Sequence, residues 1–209
     1  MNRAKRIGLF GGTFNPIHFG HINVALELKE KNELTEVWFI PSLLSPLRLQ
    51  DPPLSAQHRL KMLELALADI PEFQICDSEL KRPLPSYTVD TVKEILTMHP
   101  TQFFFLLLGE DSLNRFQEWK EPFEIVRQIP LLIGSRPHSN FLNILPTLGL
   151  SEEITSAICK GLVITRQMEI SATEIRERLK KTLYCGHLVP WKVLDYIYEN
   201  QLYFKPQLL

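Results

Sequence analysis

Residues 8–21 read GLFGGTFNPIHFGH. An apolar run, RIGLF at 6–10, passes into a segment holding Gly11, Gly12, His18, Gly20 and His21 within eleven residues. Glycine lets a ligand reach the main chain with no Cβ in the way. A helix start offers unpaired N–H groups and a partial positive charge. His18 and His21, three apart, share one face of a helical first turn, and each can donate a hydrogen bond to a phosphate oxygen. The stretch therefore reads as a phosphate cradle at the exit of a strand. Two plainer readings stand beside it. One is a strand-to-helix turn with incidental histidines; the other is a metal site using His at i and i+3, for which no third ligand lies nearby. GK[ST] and GxGxxG do not occur, which excludes a P-loop and the usual dinucleotide fingerprint.

Outward from this stretch, strand and helix signals alternate. EVWFIP at 36–41, FQIC at 73–76, FFFLLLG at 103–109 and PLLIGS at 130–135 read as further strands. Ile22, Ala25 and Leu26 mark the first helix. Leu60, Leu63 and Leu67 mark a second, and Val89, Val92 and Leu96 a third. A short helix is expected around FEIVRQI, another carrying Ile175 and Leu179, and a last one carrying Val193, Tyr196 and Ile197. The segment 138–160, broken by Pro146 and Gly149, gives no clear pattern. Continuous apolar strands alternating with helices predict an α/β fold: a Rossmann-like, doubly wound, mostly parallel sheet with a helical C-terminal portion packed on it. Residues 1–209 read as one domain.

Bulk composition limits the partners. The chain is 44% hydrophobic with a net charge of −1, so no overall positive field exists to hold a nucleic acid. Cys76, Cys159 and Cys185 are far apart with no CxxC spacing, which suits a reducing compartment and argues against a thiolate zinc site. The basic start MNRAKR is followed by an apolar stretch that Gly8, Gly11 and Gly12 interrupt, a poor signal peptide. FFFLLL at 103–108 is too short to span a bilayer. A cytoplasmic protein without membrane attachment is expected.

A second anion-type segment is ISATEIRERL at 170–179. Ser171 followed by Glu174 is a capping box, and on its own reads simply as a well-capped helix. Thr173 adds a hydroxyl and Arg176 a forked cation.

Together these residues resemble a known family. GGTFNPIHFGH is similar to the GGxFxPxHxGH signature of HxGH-type nucleotidylyltransferases, and ISATEIR to their ISSTxIR motif, with Ala172 at the second serine. PSYTVDT at 85–91, GEDSLNRFQEWK at 109–120 and LVPWKVLDYIYENQLY at 188–203 resemble stretches of the bacterial nicotinate-mononucleotide adenylyltransferases. The resemblance implies transfer of AMP from ATP to nicotinate mononucleotide, giving deamido-NAD and pyrophosphate, with Mg²⁺ arriving on ATP. It implies that His18 and His21 bind ATP phosphates and stabilise the transition state. Gly11, Gly12, Thr13, Phe14, Gly20, Ser171, Thr173 and Arg176 would hold ATP. Arg48, Tyr87, Thr88, Asp111 and Trp119 would meet the acceptor, with Trp119 stacking on the pyridine.

Each acceptor residue also has a plain reading: Trp119 as a packing aromatic, Tyr87 packed under a loop, Ser86 and Thr88 as helix caps, Asp111 as the cap after the central strand. Three positions besides Ala172 depart from the family pattern. Leu47 stands at the usual loop histidine, Ser45 at a proline and Lys120 at a common aromatic; Arg48 keeps the loop's positive charge. HRLKM at 58–62 reads as a helix that buttresses this loop. Other HxGH transferases, acting on nicotinamide mononucleotide, phosphopantetheine or glycerol phosphate, are the nearest alternatives. An aminoacyl-tRNA synthetase fragment and a non-catalytic nucleotide sensor are more remote ones.

Overall fold

The computed structural model describes residues 4–44, 52–135, 139, 141–166 and 168–204. Six strands form one sheet: β1 (Arg6–Gly12), β2 (Glu36–Pro41), β3 (Phe73–Ile75), β4 (Phe103–Gly109), β5 (Leu131–Ser135) and β6 (Leu162–Ile164). Their order is β3-β2-β1-β4-β5-β6, and all five pairings are parallel. The expected mostly parallel sheet is thus fully parallel among the described residues. Among the described residues eight α-helices connect or cover the strands: α1 (Phe19–Lys31), α2 (Ala56–Leu67), α3 (Thr88–Met98), α4 (Pro122–Gln128), α5 (Phe141–Ile144), α6 (Glu152–Gly161), α7 (Ala172–Lys180) and α8 (Trp191–Glu199).

The period-2 geometry of a strand sends alternate side chains to opposite faces. On β4, Phe104, Leu106 and Leu108 enter one core with Val89, Val92 and Ile95 of α3, Ile125 of α4 and Ile154 and Ile158 of α6. Leu107 points the other way, into a core shared by Ala25 and Leu28 of α1, Met62 and Leu63 of α2, and Ile175, Val193 and Ile197 of α7 and α8. Both faces are covered, which is why the central strands read as unbroken apolar runs.

Two features lay beyond the sequence pattern. The segment 138–160 resolves, among its described residues, into α5, a 3₁₀ turn at Leu145–Leu148 and α6, which Ser151 caps through Ile154 N–H at 3.3 Å. Then Leu162–Ile164 adds β6 beside β5. Three residues are too few to display a period, and this strand becomes visible only through its neighbour.

Chain direction across the sheet reverses between β1 and β4. In open parallel sheets a crevice forms at such a switch point, beyond the carboxyl ends of the strands. Gly11 and Gly109 sit at those ends, and a Cβ built on either would face open space.

Candidate active site

The cradle is built on a strained turn. Phe14 is buried with φ +48, the left-handed region that bulky side chains avoid. Its ring lies so close to Gly12 that a Cβ there would sit 2.8 Å from Cζ, so only glycine fits. The carbonyls on either side of Phe14 are each held by an arginine. Arg59 Nη1 donates to Thr13 O at 2.7 Å, and Arg176 Nη1 donates to Asn15 O at 2.9 Å. The Asn15 side chain is held as well, by the Tyr203 hydroxyl donating to Oδ1 at 2.7 Å. Such overdetermined strain clusters at functional sites.

His18 is the N-cap of α1, with extended φ/ψ, and His21 lies in its first turn. The helix therefore begins at Phe19, ahead of Ile22, where the apolar period first shows. The two rings nevertheless come together, stacked at 3.6 Å between centroids. Gly20 makes room for them: a Cβ there would press His18 Nδ1 at 3.0 Å. The Nδ1 atoms of both histidines are buried without a hydrogen-bond partner. Burial pulls the His18 pKa down to about 4. Burial, and then repulsion from His18, holds His21 well below its usual value. Both rings are therefore neutral near pH 7, each with polar capacity unspent.

The second anion-type segment converges here. Ser171 caps α7, accepting from Glu174 N–H at 3.1 Å. Arg176 Nη2 donates to Thr173 Oγ1 at 3.1 Å, while Nη1 reaches Asn15. Ile170 O lies 3.5 Å from the Cβ position of Gly20. Gly11, Gly12, Thr13, Phe14, His18, Gly20, His21, Ser171, Thr173 and Arg176 thus form one locality, though 150 residues separate the two motifs in the chain.

Of the expected acceptor residues, Tyr87 and Thr88 open α3, and Asp111 and Trp119 follow the carboxyl end of β4. Tyr87 is the N-cap of α3 and Thr88 its first residue, but no side chain caps this helix, so capping does not account for Ser86 or Thr88. Instead Ser86 Oγ accepts from Leu43 N–H at 3.2 Å, and Ser86 N–H donates to Leu44 O at 3.1 Å. Trp119 is half-buried against Phe116, 5.0 Å between ring centroids, leaving part of its surface exposed. Lys120 Nζ lies 4.7 Å over the Tyr87 ring and contacts both Asp90 carboxylate oxygens at 3.1 Å. The side chain that departs from the family pattern thus clamps Tyr87. Asp111 is exposed in the 3₁₀ segment Glu110–Glu118 that follows β4, where the N-cap position is Gly109 and not Asp111. Arg48, like Leu47 and Ser45, lies outside the described residues.

Sequence reasoning missed Arg59, Asn15 and Tyr203 as site-forming residues. Arg59 is 0% exposed, and its guanidinium binds the carbonyls of Thr13, Leu43 and Leu54. HRLKM pointed to a buttressing helix; which residue makes the contact was not legible. Among the described residues no group of three His, Cys, Asp or Glu side chains gathers in a metal-holding arrangement.

A model described as cytidylyltransferase-like matches residues 9–178, a span that takes in both halves of the cradle. A protein of Carboxydothermus hydrogenoformans named "probable nicotinate-nucleotide adenylyltransferase" is 36% identical, over 96% of this chain and 98% of its own. One of Methylacidiphilum infernorum with the same name is 33% identical, over 95% and 92%. Among solved structures, Plasmodium falciparum nicotinic acid mononucleotide adenylyltransferase complexed with NaAD superposes with a TM-score of 0.73, covering 95% of this chain and 97% of that one at 21% identity, a likeness of fold. The family model spans both halves of the cradle and the relatives match along nearly the whole chain, and the chain belongs to the cytidylyltransferase-like family.

Proposed function

We infer that this chain is a nicotinate-nucleotide adenylyltransferase, joining ATP to nicotinate mononucleotide with release of pyrophosphate in NAD biosynthesis. The observation that carries the reading is the meeting of two helix tips: the stacked, unpartnered imidazoles of His18 and His21 and the guanidinium of Arg176 border one cradle. Relatives named for this reaction match along 95% of the chain.

The acceptor phosphate is already anionic at neutral pH, so attack on the α-phosphorus needs no general base. Catalysis is then positioning and charge stabilisation. Neutral imidazoles suit this task, because their desolvation costs far less than that of imidazolium and each still donates an N–H to phosphate oxygen. Ser171, Thr173 and Arg176 are assigned to the β- and γ-phosphates, with Gly11, Gly12, Thr13, Phe14 and Gly20 shaping the cradle. Mg²⁺ would arrive with ATP, held by the phosphates that Ser171, Thr173 and Arg176 are assigned to grip, and would supply charge neutralisation for pyrophosphate departure. Tyr87, Thr88 and Trp119 are assigned to the pyridine ring and its carboxylate, and Asp111 to the bound nucleotide. Trp119 offers a flat half-exposed face, and main-chain N–H groups near Thr88 and Lys120 suit an anion. The continuous six-stranded sheet supports residues 1–209 as one nucleotidylyltransferase domain. The free thiols Cys76, Cys159 and Cys185 support a reducing cytoplasm.

The decisive experiment offers the purified protein ATP, Mg²⁺ and, in turn, nicotinate mononucleotide, nicotinamide mononucleotide and phosphopantetheine. Pyrophosphate release is expected with nicotinate mononucleotide above the others. Release with none of them overturns the assignment.

A further inference from the structure

The residues assigned to the pyridine ring come from two separate segments. Tyr87 and Thr88 open α3, and Trp119 follows the segment Glu110–Glu118. Both segments rest on one apolar core: Val89 and Phe116 are buried in it, and Tyr87 and Trp119 pack against its edge. Apolar burial has no direction, so it holds the segments together without fixing how one lies along the other. Four charged side chains supply that direction. Lys120 Nζ donates to both carboxylate oxygens of Asp90 at 3.1 Å and lies 4.7 Å over the Tyr87 ring. Beside this pair stands a second with the signs exchanged, in which Lys93 Nζ donates to Glu121 Oε2 at 3.1 Å. Asp90 and Lys93 are three apart and share a face of α3; Lys120 and Glu121 are sequence neighbours. Glu121 holds φ +50, a left-handed backbone that a residue other than glycine keeps only where its surroundings impose it.

We propose that Asp90, Lys93, Lys120 and Glu121 are positioning residues, a double clasp of opposed polarity that sets the register of Trp119 against Tyr87 and Thr88 and so the width of the pyridine slot. None of the four side chains is assigned to substrate. The exchanged signs make the clasp selective for one alignment. Sliding either segment by one pair sets Lys120 against Lys93, or Glu121 against Asp90, like against like. The four side chains are between 39% and 47% exposed, and exposed pairs add little to folding stability. The clasp therefore bears on placement and hardly on unfolding. Lys120 stands where the family pattern commonly has an aromatic, and it is the ammonium that reaches Asp90 and Tyr87 together. The inference rests on the acceptor role assigned to Tyr87, Thr88 and Trp119.

The test compares wild type with Lys93→Glu, the reversed pair Lys93→Glu/Glu121→Lys, and Lys120→Met, which removes the charge and keeps an unbranched side chain. It reads KM for each substrate, the melting temperature, and hydrogen exchange at the Thr91 and Trp119 amides, which donate to Tyr87 O and Phe116 O. Lys93→Glu and Lys120→Met are expected to raise KM for nicotinate mononucleotide about three- to fivefold, the scale of one exposed ion pair, with KM for ATP within about twofold of wild type and the melting temperature unmoved. The reversed pair restores the wild-type KM, because the attraction returns with its ends exchanged. Exchange at both amides quickens in the two single variants and not in the reversed pair. Equal rises in both KM values, an unchanged KM for the mononucleotide in either single variant, or no rescue by the reversed pair overturns the clasp. Should wild type release no pyrophosphate with nicotinate mononucleotide, the proposed function fails separately. Amide exchange still judges the clasp in that case, and unchanged exchange in Lys93→Glu and Lys120→Met rejects it.

Discussion

At the scale of residues, the proposed chemistry rests on the histidine pair. Two imidazoles stacked at 3.6 Å, both short of partners at Nδ1, are kept neutral by burial, and His21 also by repulsion from His18. Removing one well-placed donor to a transition state costs on the order of 10²–10³ in turnover. His21→Asn is expected to lower kcat by about that factor while the melting temperature moves little; steady-state rates beside a thermal melt check it. The same burial makes stability depend on pH. Unfolded His18 titrates near 6.5 and folded His18 near 4, so between these values the unfolded chain holds more protons. The stability contributed by neutral His18 is complete above pH 6.5 and is lost as pH falls towards 4. Lowering pH from about 7.5 to 5.5, still above the ordinary carboxylate range, should cost on the order of 1 kcal/mol through this residue. Denaturant melts at the two pH values should show that loss in wild type and a smaller one in His18→Asn. Identical losses in both would remove His18 as its source.

At the scale of elements, the approach of α6 to the sheet depends on a missing side chain. Gly161 ends α6 where β6 begins, and a Cβ there would lie 2.4 Å from Leu131 O, an atom of the β5 backbone that cannot swing away. Overpacking of this kind costs about 1–3 kcal/mol. Gly161→Ala should therefore lower the unfolding free energy by that amount. Leu131 starts β5, and the crevice lies beyond the opposite, carboxyl ends of the strands, so both KM values should hold. Urea unfolding and initial rates together separate this from a change at the site. The tip of α7 works differently: its Ser171 cap and Arg176 belong both to the helix and to the cradle, so fold and site share the same bonds there.

At the scale of the whole molecule, the C-terminal helices close the cradle from behind. Leu188 O accepts the Phe19 N–H at the start of α1, Tyr196 OH meets His58 Nδ1 of α2 at 2.8 Å, and Tyr203 reaches Asn15. Burial raises the Tyr203 pKa, so the hydroxyl stays a donor across the working range of pH. Tyr203→Phe leaves Asn15 Oδ1 without this partner in a buried place, at a cost of about 1–3 kcal/mol. Reduced thermal stability together with a raised KM for ATP is expected, since Asn15 adjoins both Phe14 and Arg176. Wild-type values of both would make the tail a bystander to the site.

The sequence by itself determined the parallel sheet apart from β6, and it singled out the residues proposed to form the cradle. Apolar runs such as FFFLLLG declare buried parallel strands because both their faces need cover, and GGTFNPIHFGH carries its meaning in the absence of side chains at Gly12 and Gly20 and the presence of imidazoles at His18 and His21. These are local properties, and local chemistry is what a sequence displays. Tertiary structure alone decided three other things. It added β6, whose three residues become a strand only by pairing with β5. It showed that Arg176 grips Asn15, across 161 positions of chain. It turned Arg59, an ordinary helix residue in the sequence, into a fully buried cation holding three carbonyls. The reason is the same in each case: a hydrogen bond to a main-chain carbonyl requires no particular residue type at the acceptor, so nothing in the partner's identity announces it, and only the path of the folded backbone brings the two groups together.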